Sequence, residues 1–134
     1  MRKPPGNHQF NIDAAKKNIP IELKERNQWV VWKLERREGA SKPTKVPVNP
    51  HTLRNASCND PASWGSFEAA LGASQNNHSI AGIGFVFTAD DPYVGIDLDG
   101  VICERSGNLS DLAKDVVAAI DSYTEISPSG AGIH

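Results

Sequence analysis

The sequence is poor in cysteine and has no long apolar run. Its two cysteines, Cys58 and Cys103, stand far apart, without a CxxC pair or a histidine at metal-ligand spacing. This spacing indicates neither a disulfide framework nor a zinc site, so we expect two inert thiols. No apolar stretch approaches the roughly 18 residues of a membrane span, and residues 1–10 are basic and proline-rich without an apolar centre. We therefore expect a cytoplasmic protein without a membrane segment.

The sequence also lacks an excess of charge of either sign. It has 14 Lys and Arg against 16 Asp and Glu, a formal net charge of -2, with 22% charged and 39% hydrophobic residues. This balance argues against a protein that coats nucleic acid by bulk charge, although it leaves room for a local basic groove. A length of 134 residues suits roughly one globular domain.

The apolar pattern of the first half predicts a loose start followed by strands. Residues 1–18 lack periodicity and are expected to form a flexible N-terminal lead-in, which leaves residues 19–134 for the folded domain. The β-branched and aromatic residues of 29–34 predict a strand. A polar hairpin at 38–41 leads into residues 42–48, whose two prolines predict an exposed strand at the edge of a sheet.

The pattern of the second half alternates between helix and strand. A capped helix is predicted over residues 60–72, where apolar side chains recur at helical spacing. Two apolar runs, 82–88 and 93–98, flank a turn-rich linker and are predicted to pair as antiparallel strands. A second helix over residues 109–120 and a strand over 123–126 complete a mixed α+β domain.

Two carboxylates, Asp97 and Asp99, follow an apolar run and stand two positions apart. On a strand this spacing places both side chains on the same face. Carboxylate oxygens are the ligands that hard divalent ions such as Mg²⁺ prefer, and two-metal phosphoryl transfer uses acidic residues placed in this way. The pattern therefore predicts a metal site, and the alternative is a strand that runs into a polar turn.

A second candidate site is the run of small residues at 127–134, SPSGAGIH. Glycine and serine let the backbone turn sharply and bring several N–H groups toward an anion, which predicts a cradle for a triphosphate around Ser129 and Gly130. His134 could add a hydrogen bond or a positive charge to a phosphate. The alternative is a flexible glycine turn with a histidine that faces water.

A third candidate is the cationic edge segment around Lys45, which stands between Pro43 and Pro47 and near Lys42 and Arg54. Cations on a rigid segment suit a phosphate backbone, whereas the alternative is a row of solvated side chains. Four aromatic residues at strand and helix spacing are expected in the core and not in a base-stacking surface: Trp29, Trp32, Trp64 and Phe67.

Six short motifs carry a family resemblance because they occur together in one order. They are WVVW at 29–32, KVPVNP at 45–50, Asp60-Pro61 with Trp64 and Phe67, GIG at 82–84, GIDLD at 95–99 and SPSGAGIH at 127–134. Each motif alone is weakly specific, but the ordered set is specific. Over about residues 19–134 the chain resembles the primase-polymerase family of archaeo-eukaryotic type found in phages and plasmids.

The resemblance implies an RRM-like βαββαβ core that makes or extends primers from nucleoside triphosphates on a single-stranded DNA template, with Mg²⁺ or Mn²⁺ as cofactor. A replicative helicase domain or protein is a further partner that the resemblance allows. It carries over six site residues, namely Asp97 and Asp99 as catalytic metal ligands, His134 as a catalytic and nucleotide-binding residue, and Ser129, Gly130 and, less directly, Lys45 as nucleotide-binding residues.

One departure from the family concerns its third motif, an acidic residue on a later strand, because the sequence stops at His134. We expect an incomplete catalytic domain with little or no polymerase activity by itself. A non-catalytic nucleotide- or DNA-binding remnant is the first alternative. A second arises because residues 97–102 also resemble the first motif of haloacid-dehalogenase-type phosphatases, with Asp97 as nucleophile, although Lys114 alone cannot supply that family's later lysine and acidic pair.

Overall fold

The computed structural model describes residues 10–134, which fall into two compact units, Phe10–Asp91 and Pro92–His134. The first unit contains a β-sheet and short helices, and the second contains one helix and isolated β-bridges. This composition confirms the predicted α+β class. Within residues 10–134, no helix has the length and apolar character that crossing a membrane requires.

The first unit is built around an antiparallel sheet of three strands, β1 Trp29–Glu35, β2 Thr44–Val48 and β3 Gly82–Phe85. β1 lies in the middle, with β2 on one side and β3 on the other. Val31 of β1 pairs with Val48 of β2, and both side chains are almost completely buried. The sheet confirms the strand predicted over the WVVW motif and the edge strand that follows it.

Aromatic residues fill both faces of this sheet. On one face, the Trp29 ring contacts the rings of Phe67 and Phe85 edge to face, with centroids 5.1 and 5.3 Å apart. On the other face, Trp64 is buried in a cluster with Val30. Edge-to-face pairs add to the free energy gained by burying the rings. The prediction that Trp29, Trp64 and Phe67 belong to the core is confirmed.

Helix α1, Ile12–Asn18, lies inside the segment predicted as a flexible lead-in, so regular structure begins before residue 19. The side chain of Asn11 accepts a hydrogen bond from the backbone N–H of Ala14, which caps the helix. Acidic and basic residues stand in its first and last turns, where they complement the helix dipole. A one-turn helix, α2 Ile21–Lys24, follows, and the residues before Phe10 lie outside the described part.

The helix predicted over residues 60–72 is interrupted. Pro61–Ser63 form a 3₁₀ turn, and helix α3 occupies Phe67–Asn76, with the Ser66 side chain as its N-cap. Between them, Gly65 exchanges two backbone hydrogen bonds with Trp29, of 2.8 and 3.0 Å. The backbone groups of this segment pair with the sheet instead of with a helix, so tertiary contacts overrule the local helical pattern.

Strand β2 is an edge strand, as predicted, but it is not wholly exposed. Val46 and Val48 are buried, whereas Lys45 is exposed. The outer side of the strand is partly covered by the following loop, because the carbonyl of Pro47 accepts a 2.8 Å hydrogen bond from the N–H of Ala56. The exposed-edge prediction is therefore correct for the lysine and wrong for the two valines.

The second unit contains helix α4, Asp111–Ile120, which confirms the helix predicted there. The Ser110 side chain caps it by accepting a 3.2 Å hydrogen bond from the N–H of Ala113, whose side chain is buried. The helix ends at Asp121, which adopts the left-handed conformation with φ of 49°.

The two strands predicted in this unit are not formed. Of residues 93–98 only Leu98 is bridged, to Ile133, and Val94 is 84% exposed. An extended segment becomes a strand only where its backbone groups meet a partner ladder, and here the ladder is one bridge long. Residues 123–126 form no strand either, although Ile126 is bridged to Ile133 and Glu125 exchanges two backbone hydrogen bonds with His134. The predicted hairpin with residues 82–88 is thus wrong, and β3 pairs with β1.

Candidate functional site

The two sequence motifs of the second unit lie side by side through backbone pairing. Leu98, between the two aspartates, donates to the carbonyl of Ile133 at 2.9 Å and accepts from its N–H at 3.1 Å. Ile133 also bridges Ile126, so the SPSGAGIH loop returns between two extended segments. The acidic motif and the end of the glycine loop are therefore held at neighbouring backbone positions.

Two carboxylates flank the imidazole of His134. Its Nε2 lies 3.7 Å from Oδ1 of Asp97, and its Nδ1 lies 3.3 Å from Oε1 of Glu125. Glu125 and His134 also exchange two backbone hydrogen bonds, of 3.0 and 2.9 Å. The structure thus brings Asp97 and His134 together, and it adds an acid that the sequence motifs did not include.

A tyrosine holds the far oxygen of this added acid. The hydroxyl of Tyr123 donates to Oε2 of Glu125 at 2.8 Å. Burial raises the pKa of Tyr123 above its ordinary value, and the hydrogen bond to Glu125 raises the pKa further. The phenol therefore keeps its proton and remains a donor to the carboxylate.

The glycine loop satisfies its own backbone. The N–H of Gly130 donates to the carbonyl of Ser127 at 2.8 Å, the N–H of Ala131 to the Ser129 hydroxyl at 3.3 Å, and the N–H of Gly132 to the Ser127 hydroxyl at 3.1 Å. The two serine hydroxyls are 2.9 Å apart. The amides that were expected to cradle a triphosphate are thus already bonded within the loop, with Ser127 as a buried anchor.

Gly132 is required by the close approach of the two motifs. A Cβ atom at this position would lie 2.5 Å from the carbonyl oxygen of Leu98 and 3.3 Å from the Cα of Asp99. No side chain fits there without moving the backbone. The absence of a side chain at Gly132 therefore allows the acidic segment to pack closely against the loop.

Asp97 and Asp99 are both exposed and stand on either side of the bridged Leu98. Asp99 begins a turn with Gly100, whose φ of 65° favours glycine. Within residues 10–134, no group of three or more His, Cys, Asp or Glu side chains is placed to hold a metal ion. The pair supplies oxygen ligands of the kind that Mg²⁺ prefers, but the described residues do not form a complete protein cage.

Lys45 belongs to the other unit, Phe10–Asp91. Its Nζ lies 5.0 Å from the centroid of the Trp32 ring, a cation–π contact. Trp32 is half-buried instead of fully buried, and its indole N–H donates to the carbonyl of Ile83 at 3.2 Å. The lysine is exposed as predicted, and the contact that the structure shows for it is with an aromatic ring.

Glu125 and Tyr123 were not predicted as site residues, although a signal for them existed. Residues 123–126 were predicted to be extended and to precede a tight loop, and an antiparallel return from that loop places Glu125 opposite His134. In an extended segment, residues two positions apart lie on the same face, which accounts for the contact of Tyr123 with Glu125. Recognition of this hairpin would have identified both residues.

Comparison with known proteins supports the resemblance found in the motifs. A scan against models of known protein families finds no match. A search of curated proteins finds a DNA primase-polymerase of Nitratiruptor phage NrS-1 that is 44% identical over 107 residues. The match covers 80% of this chain but 14% of the length of that protein. Over most of its length the chain is thus a homologue of a phage DNA primase-polymerase, which confirms the predicted resemblance to the phage primase-polymerase family.

Proposed function

We propose that this chain binds a nucleoside triphosphate together with Mg²⁺ or Mn²⁺ as part of a phage-type primase-polymerase that synthesises or extends primers on a DNA template. The observation that carries the proposal is the pairing of Leu98 with Ile133, which sets Asp97 beside His134. A carboxylate can bind a divalent metal and an imidazole can contact a phosphate, and the two groups lie 3.7 Å apart, so both can reach one metal-bound triphosphate.

The metal would be held by Asp97 and Asp99. Mg²⁺ keeps several water ligands and is commonly bound by one or two carboxylates plus substrate phosphates, so two exposed acids suffice without a third protein ligand. When bound, the ion would polarise the phosphoryl group and neutralise its charge. The role of the two aspartates in this proposal is to fix the metal and, through it, the triphosphate.

Ser129, Gly130 and His134 would contact the phosphates. Since the loop amides are bonded to Ser127 and Ser129, a phosphate oxygen would have to replace serine hydroxyls at those donors. His134 needs no such exchange, because its imidazole is 37% exposed. Lys45 belongs to the other unit, where its contact is the Trp32 ring, and its role at the nucleotide stays a prediction of the family resemblance.

The other partners follow from the family and remain part of the proposal. The name of the phage relative indicates primer synthesis and polymerisation, and this chain matches 14% of that protein. Single-stranded DNA as template, a replicative helicase as partner and an RRM-like arrangement of the catalytic core are therefore inferred for the larger catalytic unit. The three-stranded sheet and helix α3 are the elements of the first unit that such a core would include.

Binding of a labelled deoxynucleoside triphosphate, titrated with Mg²⁺ and separately with Mn²⁺, tests the proposal. We expect metal-dependent binding that Asp97→Asn, Asp99→Asn and His134→Ala each weaken by about tenfold or more, because each variant removes a charged or charge-assisted contact. Asp115→Asn is the matched control, since Asp115 is an exposed acid on helix α4 of the same unit. Equal binding by Asp97→Asn, Asp99→Asn and the control would contradict the proposal.

A primer-synthesis assay then separates an enzyme from a binding module. Template-dependent incorporation by this chain would show an active polymerase, whereas metal-dependent binding without incorporation would support a non-catalytic module. An aspartyl adduct with beryllofluoride on Asp97 would instead support a phosphatase; in the structure the candidate lysine, Lys114, pairs with Asp111 at 3.9 Å.

A further inference from the structure

We infer that Glu125 is a positioning residue that holds the His134 imidazole with Nε2 toward Asp97. The inference rests on the proposed function, because it assigns the nitrogen that is presented to a phosphate. It concerns a residue outside the acidic pair and outside the SPSGAGIH loop. Three contacts carry it, namely a backbone pairing, an imidazole contact and a tyrosine hydrogen bond.

The first contact is the backbone pairing of Glu125 with His134. Each residue donates its N–H to the carbonyl of the other, at 3.0 and 2.9 Å, which makes them a hydrogen-bonded antiparallel pair. Directly opposed residues of such a pair carry their side chains next to each other on one face. The backbone register of the pair therefore places the carboxylate of Glu125 next to the imidazole of His134.

The second contact selects one imidazole nitrogen. Oε1 of Glu125 lies 3.3 Å from Nδ1 of His134. An ionised carboxylate only accepts hydrogen bonds, so this contact favours a proton on Nδ1. With Nδ1 engaged, Nε2 is the nitrogen on the side of Asp97, 3.7 Å from its Oδ1. Nε2 donates to a phosphate oxygen only when it also carries a proton, because the neutral Nδ1–H imidazole has a lone pair at Nε2.

The third contact holds the carboxylate itself. The Tyr123 hydroxyl donates to Oε2 of Glu125 at 2.8 Å, which leaves Oε1 for the imidazole. Because the hydroxyl stays protonated, this donor is present throughout the neutral range. For histidines that bind metals, a carboxylate on the other ring nitrogen commonly fixes the tautomer and ring orientation, and its loss typically costs about tenfold to a hundredfold in metal affinity or activity; we expect an effect of similar size for a histidine that contacts phosphate.

Nitrogen NMR of the chain with ¹⁵N-labelled histidine tests the contact directly. At a pH where the imidazole is neutral, we expect His134, assigned by comparison with His134→Gln, to carry its proton on Nδ1. Glu125→Gln keeps the size of the side chain but removes its charge, so the proton population should shift toward Nε2. Tyr123→Phe should give a smaller shift in the same direction. Glu104→Gln, which changes an exposed acid elsewhere in the unit, should leave the spectrum unchanged.

Unchanged His134 tautomers in both Glu125→Gln and Tyr123→Phe would overturn the inference, provided that the amide signals of Leu98 and Ile133 show an intact bridge. Triphosphate binding with Mg²⁺ supplies the second measurement. Glu125→Gln should weaken binding by about tenfold, because the ring loses the carboxylate contact that orients it with Nε2 toward Asp97. A shifted tautomer with unchanged binding would overturn the positioning role. Absence of metal-dependent binding in the unsubstituted chain would instead overturn the proposed function, while the spectra still decide the contact between Glu125 and His134.

Discussion

Replacement of Gly132 by alanine should separate the acidic motif from the glycine loop. The added Cβ would lie 2.5 Å from the carbonyl oxygen of Leu98, whereas Cβ atoms essentially never approach a neighbour closer than 3.0 Å. One of the two segments must therefore move by at least about half an ångström. The obstacle is a backbone atom, so rotation of a side chain cannot relieve it.

The magnitude follows from the bonds at that point. The Leu98–Ile133 bridge consists of two backbone hydrogen bonds of 2.9 and 3.1 Å. Each contributes about 1 kcal/mol net, and overpacking costs a further ~1 to 3 kcal/mol. We expect Gly132→Ala to destabilise the bridge by about 2 kcal/mol or more, which corresponds to roughly thirtyfold faster hydrogen exchange.

Amide hydrogen exchange of Leu98 and Ile133 is the direct measurement. Gly72→Ala is the matched control, because no atom beyond its neighbours and the adjacent backbone of helix α3 lies within 4 Å of a Cβ at that position, and alanine favours a helix over glycine. Exchange should accelerate at the bridge in Gly132→Ala and remain unchanged there in Gly72→Ala. Unchanged exchange in Gly132→Ala would refute the argument that a side chain cannot be accommodated at this position.

Two further predictions concern stability. The pKa of Tyr123 is raised in the folded chain. The contribution of its protonated hydroxyl to the free energy of unfolding is therefore complete below about pH 10, and it is lost as the pH rises toward the pKa of the folded state. Urea unfolding across this alkaline range should therefore show a loss of stability that Tyr123→Phe lacks, and identical pH profiles would contradict it. Ser110→Ala removes the cap of helix α4 and should cost about 1 kcal/mol, whereas Ser110→Thr should retain most of it. Faster exchange of the Ala113 amide would identify the lost cap, and equal exchange would argue against it.

The elements predicted correctly are those with strong local signals. β1 is rich in β-branched and aromatic residues, and helix α4 combines an apolar periodicity with a serine cap, so the local pattern agrees with the final structure. The predicted helix over residues 60–72 failed because Gly65 pairs with Trp29 across the sheet. That pairing joins residues far apart in the sequence, and no local pattern reveals it.

In the candidate site, too, the residues with a local sequence signal were predicted and those that depend on long-range pairing were not. Asp97, Asp99 and His134 were found from their motifs, and the structure places Asp97 beside His134. The environment of the loop was not foreseen, because whether its amides are free or bonded depends on the rotamers of Ser127 and Ser129. Glu125 was missed because its partner is defined by a hairpin register and not by a spacing within one motif.

The proline in the outer strand of the sheet affects how this chain meets other copies of itself. An edge strand normally offers a row of free N–H and C=O groups that can recruit a strand from another molecule and begin aggregation. At Pro47 the N–H is absent, and the carbonyl on the same side already binds Ala56. At this point β2 has neither a donor nor an unused carbonyl for an incoming strand, so the sequence that stiffens the segment around Lys45 also protects it from edge-to-edge association.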